Sequence, residues 1–188
     1  MKLYIIRHGE SENNTKGCYT GWAEVNLTER GIEQAKSISP FLSKTKFDRV
    51  FSSDLKRAQK TAENALPGYE YESTPLLREI DVGTLSGVKT TEFTKEVWEQ
   101  IAEDGFAAFG GESYDEFFAR VNEFLDMVKS LDANNVAAFA HAGFLRGALE
   151  AALGVRLGSK RIICANCAIA IFELVRGEWM LHTWQNTQ

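Results

Sequence analysis

Leu3-Tyr4-Ile5-Ile6-Arg7-His8-Gly9-Glu10 opens the chain with a short apolar run that ends on an arginine and a histidine. Such a run reads as a buried strand. A strand that delivers Arg7 and His8 side by side pairs an anion clamp with a nucleophile. The chain has three histidines, and His141 sits in the same kind of place. It follows the run Asn135-Val136-Ala137-Ala138-Phe139-Ala140 and precedes Ala142-Gly143. In open parallel sheets, ligands collect beyond the carboxyl ends of the strands. Two histidines at two strand ends are therefore expected to face one pocket.

Outward from these runs, apolar segments alternate with segments of helical period, the pattern of an α/β protein. Leu3–Ile6 is the first strand. Thr28 caps a helix to about Leu42, with Ile32, Ala35, Ile38 and Leu42 on one face. Asp48-Arg49-Val50-Phe51 reads as a second strand. Asp54 then opens a helix with Leu55, Ala58, Ala62 and Ala65 inward, stopped by Pro67-Gly68. A less regular helix is expected from about Thr91 to Glu103. Ser113-x-x-Glu116 is a capping box ahead of Phe117, Val121, Phe124, Val128 and Leu131. Val136–Ala140 is a strand, Phe144–Leu153 a helix ended by Gly154. Ala168–Val175 and Glu178–Trp184, on either side of Arg176-Gly177, read as a closing hairpin. Without repeat, linker or low-complexity tract, residues 1–188 read as one domain.

Composition narrows the function classes. A domain of 188 residues buries roughly 70% of its unfolded surface, and a hydrophobic fraction of 44% supports a core. The net charge of −5, without a basic run, argues against nucleic acid as a partner. Phosphate can still bind where positive groups converge in one cleft. Arg7 interrupts the only apolar start, and no long apolar span follows, so neither secretion nor membrane insertion is expected and the cytoplasm is the default. Cys164-Ala165-Asn166-Cys167 is formally a C-x-x-C, but it lacks the strand-to-helix junction of a redox pair and the second ligand pair of a zinc site. The two thiols read as small reduced side chains entering a strand.

Six collinear motifs carry a resemblance. They are Arg7-His8-Gly9-Glu10-Ser11-x-x-Asn14, Tyr19-Thr20-Gly21-Trp22 with Leu27-Thr28-Glu29-Arg30-Gly31, and Ser52–Thr61 around Arg57. Leu77-Arg78-Glu79 with Gly83 and Gly87, then Gly110-Gly111-Glu112-Ser113 and Ala140–Arg146, complete the set. Together they resemble the histidine phosphatase superfamily, the phosphoglycerate mutase-like enzymes. The resemblance implies a three-layer α/β/α fold with a mostly parallel central sheet. It implies that His8 is the nucleophile and forms a phosphohistidine, with Arg7 and Arg57 binding the phosphate. Arginine suits that task because its planar fork binds oxyanions bidentately. His141 is then the second phosphate-binding histidine. Asn14 gives a side-chain amide, Thr20 and Gly21 a hydroxyl and backbone N–H groups, and Ala142 joins the substrate-binding set. Glu79 is the proton donor to the leaving oxygen, ahead of its rival Asp81, and must carry a proton when that oxygen departs. No metal and no cofactor are implied. Arg146 and Arg49 read as surface or structural, and His182 as an ordinary strand residue.

Departures from the family pattern bear on the reaction. Mutases follow the glutamate with an arginine, a histidine and a tyrosine, where this chain has Ile80, Asp81 and Val82. Lys89 falls one residue early, and no arginine pair follows to hold a carboxylate. Hydrolysis of the phosphohistidine is therefore favoured over mutase transfer. The Leu-Arg-Glu-Ile-Asp segment looks closer to the small bacterial phosphatases, the α-ribazole phosphatases among them. Those usually carry tryptophan and glutamate at Leu85 and Ser86, and glycine at Ala142, differences that touch the substrate rather than the chemistry. The expected partner is a small phosphomonoester, the expected state a monomer or homodimer. Mutase-type transfer and a phosphohistidine-protein phosphatase are the alternatives. A non-catalytic phosphate sensor would be expected to lose His8 or Glu79, and both are present.

Overall fold

A computed structural model describes residues 1–156 and 162–186. Among these residues six strands form one sheet, in the order β3-β2-β4-β1-β5-β6. β1 is Lys2–Arg7, β2 Arg49–Ser53, β3 Glu72–Thr74, β4 Asn135–Ala140, β5 Ile169–Val175 and β6 Glu178–Gln185. The pairs β1–β4, β2–β4 and β2–β3 are parallel, and the closing hairpin adds β5 and β6 antiparallel.

Strand alternation sorts the core into two layers, because successive side chains point to opposite faces. Leu3 and Ile5 of β1 pack with α5 (Tyr114–Lys129) and α6 (Ala142–Leu153) on one face. Tyr4 and Ile6 pack on the other, with α2 (Glu29–Leu42) and α3 (Lys56–Ala65). The result is the expected three-layer α/β/α arrangement with a mostly parallel sheet. α2 begins where Thr28 accepts a bond from Gly31 N, and α5 where Ser113 and Glu116 close a capping box. Gly9 and Gly31 are in contact: a Cβ on Gly9 would stand 2.3 Å from Gly31 O. Only two glycines let the start of α2 lie against the chain leaving β1.

Two local expectations change, and two short elements appear for which the sequence carried no expectation. α3 starts at Lys56 without a side-chain cap, and Asp54 instead takes a two-pronged ion pair from Arg78, at 2.8 and 2.6 Å. The helix expected from Thr91 starts at Lys95 and is α4 (Lys95–Asp104), because Thr94 rather than an earlier threonine accepts the bond from Val97 N. A short α1 (Glu12–Lys16) begins within the first motif, where Ser11 N donates to Asn14 Oδ1 at 3.1 Å. β3, Glu-Ser-Thr, has no apolar signal and exists through its pairing with β2. Beyond the sheet, Val82, Ile101 and Phe106 gather Tyr19, Phe93, Val97 and Trp98 into a third apolar cluster. Arg49 pairs with Glu72 at the surface, and His182 is an exposed residue of β6, as expected.

Candidate active site

The β1–β4 register sets Arg7 against Ala140, so the residues that follow, His8 and His141, leave neighbouring strands at the same level. His8 N donates to Ala140 O at 3.0 Å, and the two imidazoles lie 5.1 Å apart, ring to ring. Ser53, at the end of β2, is 3.0 Å from His141 Nε2. Three adjacent parallel strands thus deliver the centre of the site.

His8 is 4% exposed, and its Nδ1 lies 2.6 Å from the carbonyl oxygen of Gly9. A carbonyl can only accept, so Nδ1 carries the proton. Burial and the charges of Arg57 and Arg7 hold the imidazole pKa well below its usual value. A neutral ring protonated on Nδ1 leaves the lone pair on Nε2, the form a nucleophile requires. The same causes, with His8 and Arg120 added, keep His141 neutral as well.

Arg57, in the first turn of α3, is 1% exposed. It donates to Ala23 O at 2.9 Å and Gly21 O at 2.7 Å, which fixes the loop carrying Thr20 and Gly21. Burial lowers its pKa to about 10, so it stays cationic at neutral pH. Arg7 donates to the Cys164 carbonyl. Arg7 Nε, Arg57 Nε and His141 Nδ1 are buried and have no hydrogen-bond partner. An unpaired buried donor costs about 1–3 kcal/mol, so the two guanidinium Nε–H groups at one centre call for an anion.

A cavity of about 1120 Å³ opens here. Arg7, His8, Asn14, Thr20, Gly21, Arg57, Glu79 and Ala142 all line it, as the sequence leads one to expect. His141 stands beside His8, fully buried, and does not reach the wall. The Glu79 carboxylate accepts from Ile80 N at 3.1 Å and from Gly143 N, in the first turn of α6, at 3.2 Å. Asp81 faces elsewhere, its carboxylate accepting from Gly83 N, and is not on the wall. Of the two carboxylates, Glu79 is the one on the cavity wall. Arg146, read as a surface or structural charge, is on the same wall. It is half-buried there, with Nε donating to Ile162 O at 3.2 Å. Its place one turn beyond Gly143 on α6 was the signal available. Asn166 also lines the cavity, from within the C-x-x-C segment that the sequence left without chemistry. The thiols behave as expected: both are free and buried, and burial raises Cys164 to about 11 and Cys167 to about 12.

A neutral histidine among arginines at parallel strand ends, with a carboxylate on the wall of the same cavity, is the arrangement of an enzyme of the phosphatase type. The chain belongs to the histidine phosphatase superfamily (branch 1), whose pattern matches residues 3–187. It is 34% identical to the adenosylcobalamin/α-ribazole phosphatase of Salmonella typhimurium, over 77% of this chain and 76% of that one. A 2,3-bisphosphoglycerate-dependent phosphoglycerate mutase of Bartonella henselae is 35% identical, over 90% and 88%. The crystal structure of the α-ribazole phosphatase from Shigella flexneri superposes with a TM-score of 0.87 at 25% identity, over 99% and 96%. No helix among the described residues is long and apolar enough to cross a membrane.

Proposed function

We propose that this enzyme hydrolyses small phosphomonoesters through a covalent phosphohistidine on Nε2 of His8, without a metal. The observation that carries the reading is the Nδ1–Gly9 hydrogen bond. It fixes the tautomer whose free lone pair belongs to Nε2, in the field of Arg57 and Arg7. Nε2 attacks phosphorus, the P–O ester bond breaks, and Glu79 gives its proton to the departing oxygen. Water then attacks the phosphohistidine, Glu79 takes up a proton from it, and inorganic phosphate leaves. Arg7 and Arg57 supply the positive charge that the equatorial oxygens require.

Tyr19, Trp98, Phe106 and Phe117 line the same cavity, together with Arg146. This wall suits a leaving group with an apolar body, and a cytoplasmic metabolite of that kind is the substrate class we infer. With 3-phosphoglycerate and catalytic bisphosphoglycerate, release of inorganic phosphate should outpace formation of 2-phosphoglycerate.

Rapid quenching with a labelled phosphomonoester tests the mechanism. Acid-labile phosphate should appear on a peptide containing residue 8, the His8→Ala variant should lose turnover, and chelator should leave the rate unchanged. Label on another peptide, or full activity in the variant, would overturn the assignment.

A further inference from the structure

The geometry points to Asn166 as a positioning residue that orients the Asn14 amide toward the phosphate. The inference rests on the reading of this cavity as a phosphate site. Asn14 Oδ1 accepts from Ser11 N at 3.1 Å and from Asn166 Nδ2 at 3.0 Å. With both donors on its oxygen, the amide of Asn14 has its NH₂ end turned away from them, and Asn14 is on the cavity wall. A flipped amide would set NH₂ against two N–H donors, which hydrogen-bond chemistry forbids. Ser11 alone contributes one of these two constraints. Asn166 supplies the second, and its Nδ2 also donates to the carbonyl of His8 at 3.3 Å.

The segment that carries Asn166 is built around the nucleophile. Cys167 N donates to the same His8 carbonyl at 3.2 Å, and the Cys164 carbonyl takes the Arg7 guanidinium. Cys167 has φ of +57°, a left-handed conformation that a cysteine adopts only where its surroundings impose it. Ala168 N closes the turn onto Ala165 O at 3.0 Å. From the other side, Ala165 N donates to Asn186 Oδ1 at 2.8 Å and the Trp184 indole to Ile163 O at 3.1 Å. The turn is therefore fastened to the end of β6 and to the end of β1 at once. Its side-chain output into the cavity is Asn166.

A double-mutant cycle on inorganic phosphate affinity, read by calorimetry on the full chain, tests this role without relying on turnover. Asn14→Ala and Asn166→Ala should each weaken phosphate binding by about tenfold or more, the size of one lost hydrogen bond to a charged group. The double variant should bind no more weakly than Asn14→Ala alone, since Asn166 acts through Asn14. Losses that multiply would overturn the proposal, because a merely structural residue would add its own cost. Normal phosphate affinity in Asn14→Ala would overturn it too, while leaving the phosphate-site reading intact. A wild-type protein that does not bind phosphate would instead bring down that reading, and the proposal with it. If Asn166→Ala fails to fold, Asn166→Asp keeps the shape and draws the Asn14 NH₂ to itself. Its loss should be smaller in the Asn14→Ala background, and equal losses in both backgrounds would again overturn the proposal.

Discussion

The Glu79 carboxylate is placed by a neighbour with no side chain. A Cβ on Gly143 would lie 2.1 Å from Glu79 Oε1, closer than any real contact. Backbone at that distance would have to shift, but a carboxylate at the end of a flexible chain can swing away. Gly143→Ala should therefore fold normally, because Ala suits the first turn of a helix better than Gly, while displacing the acid. Alkyl phosphates need a proton on the leaving oxygen, whereas a nitrophenolate leaves largely without it. Turnover of an alkyl phosphate should fall toward the ~10²–10⁴-fold loss typical of a missing general acid, with the aryl phosphate much less affected. Glu79→Gln should show the same split, measured as single-turnover phosphorylation of His8. An equal loss on both esters in either variant would make the role of Glu79 electrostatic. Local sequence marked His8, Arg7, Arg57 and Glu79, since each lies in a compact motif. The place of Arg146 and Asn166 on the cavity wall was not legible, because that cavity is shared with residues more than a hundred positions away.

Between elements, the segment bearing Glu79 has no regular structure of its own and is held from two sides. From one side Trp22 Nε1 donates to Glu79 O at 2.7 Å, with Arg78 stacked on the indole at 4.6 Å. From the other, Arg120 of α5 donates to the carbonyls of Leu76, Arg78 and Glu79. The rest of its guanidinium meets Glu112, whose carboxylate also accepts from Asp81 N at 2.8 Å. Arg120→Met keeps the stem and removes every donor. Stability should fall on the order of 3 kcal/mol, the low end for breaking a buried pair, since both side chains keep slight exposure. Alkyl phosphate turnover should fall more than aryl, because the acid is no longer held. Arg120→Lys should restore little, as one ammonium cannot replace a planar fork. Denaturant unfolding and the two-ester assay check both effects; an unchanged ester ratio would leave Arg120 with a purely structural role. Helices were readable wherever capping chemistry is unambiguous, as at Thr28 and Ser113. α4 was misplaced because Thr90, Thr91 and Thr94 all offer a cap, and only tertiary packing chooses among them.

Across the whole molecule, the alternation of runs and helices disclosed the fold class, but not the strand order. Nothing local tells β1 to pair with β4, and that pairing is what brings His8 to His141. It has a thermodynamic consequence. Both imidazoles are buried, both feel Arg57 and Arg7, and both have pKa values well below the usual 6.5. In the unfolded chain they return to about 6.5. As pH falls below that value, the unfolded state takes up protons that the folded state refuses, so stability declines with falling pH. Above pH 7 both states are neutral at these positions and the contribution is flat. The slope should approach about 1.4 kcal/mol per pH unit for each histidine, between roughly pH 6 and 5, before most carboxylates titrate. Calorimetric Tm values from pH 8 to 5 should show a plateau and then a fall. Saturating inorganic phosphate should flatten that fall, because an anion beside the imidazoles favours their protonation in the folded state and offsets the arginine field. ¹⁵N NMR should find both rings neutral in the free enzyme at pH 6. Tm values that hold steady or rise as pH drops through this window, or imidazolium signals at pH 6, would show that burial and the two arginines do not control these histidines.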